Sequence, residues 1–308
     1  MTAFAESFGS VLTIFILIIV GYLLQNKKKI TKEIGSFLSY AVVNITLPCS
    51  IFNTITTTIN LDNISELPIY VGAVMASQII TMLVAWFLTK LFSIDARKKG
   101  TFITLSAFNN TLFMGMPVSV ALFGEKSAPI ILYYYVASTI LFWTIGIRII
   151  VGNKSRNKFK IPSPMYGVVL GFIALVVMYF VPNFKLPDFA VDTMTHLAKM
   201  TTPLSMIFTG YALGEFGLKN IRFNRTINLG LISRFIISPA IFIAVILIVG
   251  ASELHRDVFI VQAFMPVMAS QTIIARQYGA DDKYPAVMVA ISTLISLLVI
   301  PIVKVVLS

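Results

Sequence analysis

Long apolar runs separated by short polar interruptions fill the chain. They fall at about 8–25, 36–58, 67–93, 101–124, 127–151, 164–182, 192–215, 226–250, 257–278 and 284–307. A helix needs about 20 mostly apolar residues to cross the hydrocarbon core of a bilayer, and these runs are close to that length. The pattern predicts an all-α integral membrane protein of ten transmembrane helices, divided into a first five-helix repeat at 1–151, a basic linker at 152–163 and a second five-helix repeat at 164–308. The first run follows Glu6 rather than a basic region, and Lys27, Lys28 and Lys29 come after it. It therefore reads as a span and not as a cleavable signal.

Composition narrows the class. Of 308 residues 57% are hydrophobic and 12% charged, with a mean hydropathy of +0.88. A soluble domain keeps about a quarter of its residues charged, so a cytoplasmic enzyme, a disordered chain and a disulfide scaffold are all excluded. The loops are too short for an extramembrane domain. One cysteine, Cys49, cannot form an intrachain disulfide.

The net charge of +11 changes the picture only through its distribution. Loops after odd-numbered helices carry Lys27, Lys28, Lys29 and Lys32; Arg97, Lys98 and Lys99; Lys154, Arg156, Lys158 and Lys160; Lys219, Arg222 and Arg225; and Lys283. The opposite loops hold Lys126, Lys185 and Arg256. Basic loops stay on the cytoplasmic side, so the sequence predicts a multi-pass protein of the cell (plasma) membrane with both termini outside. The charges are spread over five short loops, which excludes a nucleic-acid partner and leaves the lipid bilayer as the surroundings.

An odd number of helices per half inverts the second half relative to the first. Three coincidences support a repeat: Pro48 and Pro203 are 155 residues apart, Ala107-Phe108 recurs as Ala263-Phe264 at 156, and Gly124 and Gly279 are again 155 apart. Helix 4 carries Asn109, Asn110, Gly115 and Pro117; helix 9 carries Pro266 followed by Ser270, Gln271 and Thr272. Interrupted helices in matching places of two halves mark a transport site, because half-helix termini and freed backbone groups bind ions. The bland alternative is that Pro117 and Pro266 merely kink two packed helices.

The residues at these places resemble the auxin efflux carrier family, which includes plant auxin exporters and bacterial malate or malonate permeases. The resemblance runs over essentially the whole chain. It is carried by Asn110-Thr111-Leu112 with Met114-Gly115-Met116-Pro117; Pro203 through Gly210 to Leu213-Gly214; Arg234-Phe235 with Pro239-Ala240; and Pro266 with Ala275 and Tyr278-Gly279. It implies that helices 4 and 9 unwind and cross near the bilayer centre, within a transport domain that moves as an elevator against a scaffold, and it implies a homodimer. Asn110 matches the family's carboxylate-binding asparagine and Pro266 its helix 9 crossing proline. Asn109 stands where the auxin carriers have a second proline.

Polar residues inside the spans supply the remaining candidates. Lys199 lies about 10 Å into helix 7 at 1.5 Å per residue, where the resemblance places a substrate-contacting asparagine. It would suit a second carboxylate, or else it snorkels to the outer interface. Arg234 lines an anion path, or else it snorkels or bonds to carbonyls of a neighbouring helix. Asn44 and Thr46, before Pro48, line the pocket or bond between helices, and Gln262, Ser270, Gln271 and Thr272 pose the same choice. Tyr133, Tyr134 and Tyr135 occupy three helix faces and cannot form one clamp. Glu215 and Arg276, near cytoplasmic helix ends, are expected to face water.

Carboxylates are absent from mid-span, and His196 and His255 lie near outer helix ends. Cation sites and proton relays in membranes use such groups. The expectation is therefore a secondary carrier of small organic anions, mono- or dicarboxylates such as malate, with no metal, cofactor or dedicated cation site. A sodium- or proton-coupled symporter of related broken-helix fold is the alternative. An integral-membrane enzyme is disfavoured, because no nucleophile, acid–base pair or metal cluster gathers at an interface.

Overall fold

The computed structural model describes residues 2–58, 66–152, 163–181, 184–217 and 223–307. Lys154, Arg156, Lys158, Lys160, Lys219 and Arg222, and with them most of the 152–163 linker, lie outside the described residues. Helices run in the order α1 (Thr2–Asn26), α2 (Lys32–Ala41), α3 (Leu47–Thr58), α4 (Leu67–Leu91), α5 (Ala96–Ala107), α6 (Met116–Phe123), α7 (Ala128–Leu141), α8 (Ile147–Val151), α9 (Ser163–Phe180), α10 (Asp188–Phe216), α11 (Arg225–Ile232), α12 (Ser238–Val249), α13 (Glu253–Ala263), α14 (Gln271–Gln277) and α15 (Lys283–Val306). Among the described residues there is no strand, only one isolated antiparallel bridge between Asn109 and Val267. Lys32–Thr57, Pro68–Leu91, Ala128–Val151, Ser163–Phe180 and Arg225–Val249 are each long and apolar enough to cross a membrane.

Several of these helices carry a π turn rather than an interruption. Wide π turns at Val42–Thr46, Phe142–Gly146 and Ser233–Ile237 join α2 to α3, α7 to α8 and α11 to α12, and a fourth at Thr111–Gly115 leads into α6. Three of the four end two residues before a proline: Pro48, Pro117 and Pro239. A proline ring clashes with the carbonyl four residues back and lacks its own N–H; a π turn moves that carbonyl away. These prolines thus widen the helix instead of breaking it. Pro203 lies inside the unbroken α10.

Packing sorts the helices into two groups. In one, α1 lies along α10, and α3 packs on α9 and α10. In the other, α4 packs on α5, α7 and α12, α13 on α7 and α12, and α15 on α14, α5 and α11. The groups meet where α6 touches α1, α15 touches α10 and α14 touches α10 and α2. The α1–α10 seam is closed by glycines. A Cβ on Gly210 would stand 1.9 Å from the Ile18 carbonyl oxygen, and one on Gly21 would stand 1.9 Å from that of Ile207.

The two ends of the bundle differ in chemistry. At one, Arg97, Lys98, Lys99 and Lys283 line a common surface cavity with Asp95 and Asp281. At the other, the starts of α4, α7 and α13 converge: Tyr70 stacks on His255 at 4.6 Å and on Tyr133 at 5.9 Å, and His255 Nε2 lies 3.3 Å from Glu66.

Candidate functional site

Both true breaks fall immediately after Ala-Phe pairs. α5 ends at Ala107 and α13 at Ala263, with Phe108 and Phe264 as their C-caps. At Phe108 the backbone turns extended (φ −105, ψ 127). The freed backbone groups then pair across the crossing: the Asn110 N–H donates to Pro266 O at 2.9 Å, and the Met268 N–H donates to Phe108 O at 3.1 Å. Asn109 adds a side-chain clasp, its amide donating to the Gln262 carbonyl and accepting from the Thr111 hydroxyl. These bonds satisfy freed groups within protein, as a break in an apolar environment requires.

This geometry corrects part of the expected break. Pro266 is at the crossing, but Gly115 and Pro117 do not make the gap: the helix has already resumed at Thr111, and Pro117 follows the π turn at Thr111–Gly115 that accommodates it. Gly115 serves packing, since a Cβ there would meet Gln262 Oε1 at 2.2 Å. Pro48 and Pro203 do not interrupt their helices either, the first following a π turn and the second lying in a continuous helix.

Beside the crossing lies a cavity with about 500 Å³ of empty space, its open mouth included. Leu47 and Ile51 of α3 form one wall; Phe108, Asn109, Asn110, Thr111, Met268 and Ser270 of the two breaks form another. Tyr135, Ser138 and Thr139 of α7 and Trp143 complete it. The cavity thus sits between the two groups of helices. Its aromatic side is held by edge-on packing of Phe142 against Phe108 (5.1 Å) and Trp143 (5.2 Å). No charged side chain is among these lining residues.

The candidate residues separate clearly within this frame. Asn110 is buried and lines the cavity, and its Nδ2 has no hydrogen-bond partner. Ser270 lines it as well. Asn109 lines it with its amide already engaged. Gln271 is buried behind the wall, accepting from Thr104 of α5 at 2.9 Å and so tying the two half-helices together. Asn44 is occupied elsewhere, donating to Tyr40 O at 3.0 Å and accepting from Ser163 at 2.7 Å, a bond that joins the second helix to α9. Lys199 is exposed on α10 and does not line the cavity.

Two charged groups differ from expectation. Arg276 and Glu215 are half-buried and paired rather than simply facing water: the Arg276 guanidinium pairs with Glu215 of α10 and with Asp282, and lies 5.3 Å from the Tyr211 ring. Arg234 is fully buried and donates to Ser106 O at 3.1 Å and to Ala263 O, so it does not snorkel and is the carbonyl-bonding arginine among these alternatives. Sequence reasoning missed the α7 wall. Its signal was the Ser138-Thr139 pair in an otherwise apolar helix. The three tyrosines do point three ways, with Tyr133 on His255, Tyr134 against Phe242 and only Tyr135 in the cavity. Among the described residues no group of three His, Cys, Asp or Glu could hold a metal ion.

An all-helical chain with several membrane-spanning helices, two of its helices broken and joined at their breaks beside a cavity, has the construction of a multi-pass membrane transporter. The chain belongs to the membrane transport protein family, whose model matches residues 6–164 and 159–304 and which includes auxin efflux carrier-like proteins. It is 29% identical over 300 residues to an uncharacterized transporter of Methanocaldococcus jannaschii, covering 94% of this chain and 95% of that one. It is 24% identical over 310 residues to an uncharacterized transporter of Methanothermobacter thermautotrophicus, covering 99% of each. The protein is a transporter and not an enzyme.

Proposed function

We propose that this transporter is a secondary carrier of small organic anions, binding a carboxylate at the crossing of helices 4 and 9. The observation that carries this reading is the Asn110 amide, a buried donor with no protein partner on the wall of the cavity. A buried donor left unpaired costs about 1–3 kcal/mol, and a carboxylate oxygen would remove that cost. Ser270 offers a hydroxyl beside it, and Leu47, Ile51, Phe108, Trp143 and Met268 offer an apolar surface for the rest of the molecule. Because no cation lines the cavity among the described residues, the lining favours one buried carboxylate over two. A dicarboxylate such as malate, the substrate of bacterial members that the resemblance brings to mind, would need its second charge met elsewhere, and Lys199 is the candidate group.

The same reading takes the chain as ten spans in two inverted five-helix repeats, 1–151 and 164–308, with the basic loops cytoplasmic, both termini outside the plasma membrane and two copies forming a homodimer. The matched Ala-Phe C-caps, and the positive φ of Gly124 and Gly279 at the ends of α6 and α14, support the repeat. The cavity between the two packing groups supports an elevator movement of the second group against the first. Without a mid-span carboxylate the carrier runs uncoupled. An inside-negative potential then drives an anion outward by about 2.3 kcal/mol per charge per 100 mV, and sodium- or proton-coupled symport is the competing reading.

The test is a thermal-shift and binding screen of purified protein against malate, malonate, succinate, lactate, citrate and indole-3-acetate, followed by transport in proteoliposomes. Asn110→Ala should weaken binding of every hit at least tenfold while the protein still folds. Unchanged affinity would remove the site from the crossing, and uptake that required a sodium or proton gradient would favour the symporter.

A further inference from the structure

The crossing leaves two carbonyls without their helical partners. Ser106 O would accept from the Asn110 N–H in a continuous helix, but that N–H is turned to Pro266 O. Ala263 O would accept from the Val267 N–H, but that donor is turned to the Ser292 hydroxyl at 3.3 Å. Both carbonyls belong to C-terminal turns, which carry the negative end of the helix dipole. Two half-helix C-termini converging on one point is an arrangement by which broken-helix transporters hold a sodium ion. Here the point is taken by one side chain. The Arg234 guanidinium reaches in from the π turn at Ser233–Ile237 and donates through Nη1 to Ser106 O and through Nη2 to Ala263 O.

Among the described residues nothing anionic accounts for a charge in this place. Arg234 is fully buried, and among the described residues its partners are these two carbonyls and the neighbouring Tyr134, with no carboxylate within ion-pair distance. An arginine stays protonated in proteins, so the charge is permanent. We infer that Arg234 is a tethered cation filling the site that the two broken-helix ends would otherwise present to a free monovalent metal ion. It is a positioning residue: it holds both half-helices at the crossing and leaves a fixed positive charge behind the anion cavity. The inference deepens the uncoupled-carrier reading and supplies its physical reason, since a covalently held cation cannot be exchanged with the solution.

Melting of the purified protein in sodium chloride and in choline chloride of equal ionic strength tests this without any transport assay. A protein that carried no organic anion would sink the proposed function and leave this result standing. Wild-type protein should melt at the same temperature in both salts. Arg234→Gln should melt several degrees lower in choline and recover part of that loss in sodium, saturably. Arg234→Lys, which keeps a tethered charge, should melt closer to wild type than Arg234→Gln and be indifferent to the salt. If Arg234→Gln folds only in sodium, judged by size-exclusion chromatography, the inference holds. Sodium-specific stabilisation of the wild type overturns it. So does an Arg234→Gln variant equally impaired, or equally unfolded, in both salts, and so does an Arg234→Lys variant no better than Arg234→Gln.

Discussion

Single polar atoms do most of the explaining at the residue scale, and their value depends on whether they are already bonded. Asn109 and Asn110 are adjacent and chemically identical. One amide clasps the crossing while the other is left with an open donor in the cavity, and no property of the two letters separates them. Asp281, in the turn before α15, is the opposite case of a charged group poorly served. Its Oδ1 accepts from the Lys283 N–H at 3.2 Å, but its Oδ2 is buried without a partner. Burial pushes its carboxyl above the ordinary value, against the pull of the Lys283 backbone and of Lys98. A carboxylate whose folded pKa is raised costs the fold stability at high pH, and that cost disappears as pH falls and both states become protonated. Asp281→Asn, which removes the charge and keeps the Oδ1 acceptor, should therefore raise the melting temperature near pH 8. The gain should shrink through the acid range and vanish below about pH 3.9, the unfolded-chain value. Thermal melts at several pH values check this, and a gain that persisted at the acid end would show that packing, not charge, is responsible.

Elements are set by where backbone bonds can close. The apolar runs foretold the helical segments well, because a lipid-exposed backbone has no alternative to internal hydrogen bonding. The breaks were legible only in part. Prolines at 48, 117 and 239 look alike in sequence to the one at 266, yet the first three follow π turns and only the last sits in a gap. The difference is made by a partner stretch of backbone: Pro266 O has the Asn110 N–H to receive, a contact across more than 150 positions of chain. The matched Ala107-Phe108 and Ala263-Phe264 pairs, which the sequence offered only as a sign of the repeat, stand where the two half-helices end. The α1–α10 seam was illegible for a similar reason, since Gly21 and Gly210 acquire meaning only when the two helices touch. Membrane helices associate largely through close packing at small residues, so Gly210→Ala should push the Ile18 backbone away. The expected loss is about 1–3 kcal/mol, as for other overpacked contacts. A lower melting temperature with unchanged helical circular dichroism would show it, whereas wild-type melting would mean the seam yields freely.

At the scale of the molecule, the arrangement of packing gives the proposed movement a definite line of division. The cavity has α3 on one side and the crossing with α7 on the other, so sliding one group past the other would carry the crossing and its bound anion while α3 stayed behind. Two polar contacts span that division near the basic end. Arg276 of α14 pairs with Glu215 of α10, and the Ser39 hydroxyl of α2 donates to Ile273 O at 3.0 Å and to Gln277 Oε1 at 3.4 Å. Both must separate or re-form elsewhere if the groups slide, whereas neither need change if transport uses only side-chain gates around a fixed crossing. The two mechanisms differ in what a covalent link across this seam would do. Cysteines introduced by Ser39→Cys and Gln277→Cys, with the native Cys49 changed to Ala, should be joined by mild oxidation or by a short bifunctional thiol reagent. Under sliding, the linked protein in proteoliposomes should lose transport of the anion identified by the binding screen. It should still bind that anion, and a reductant should restore the rate of a disulfide-linked sample. Each single-cysteine variant should transport normally under the same treatment. Undiminished transport by fully linked protein would show that the groups need not move past each other, and would confine alternating access to the side chains lining the cavity.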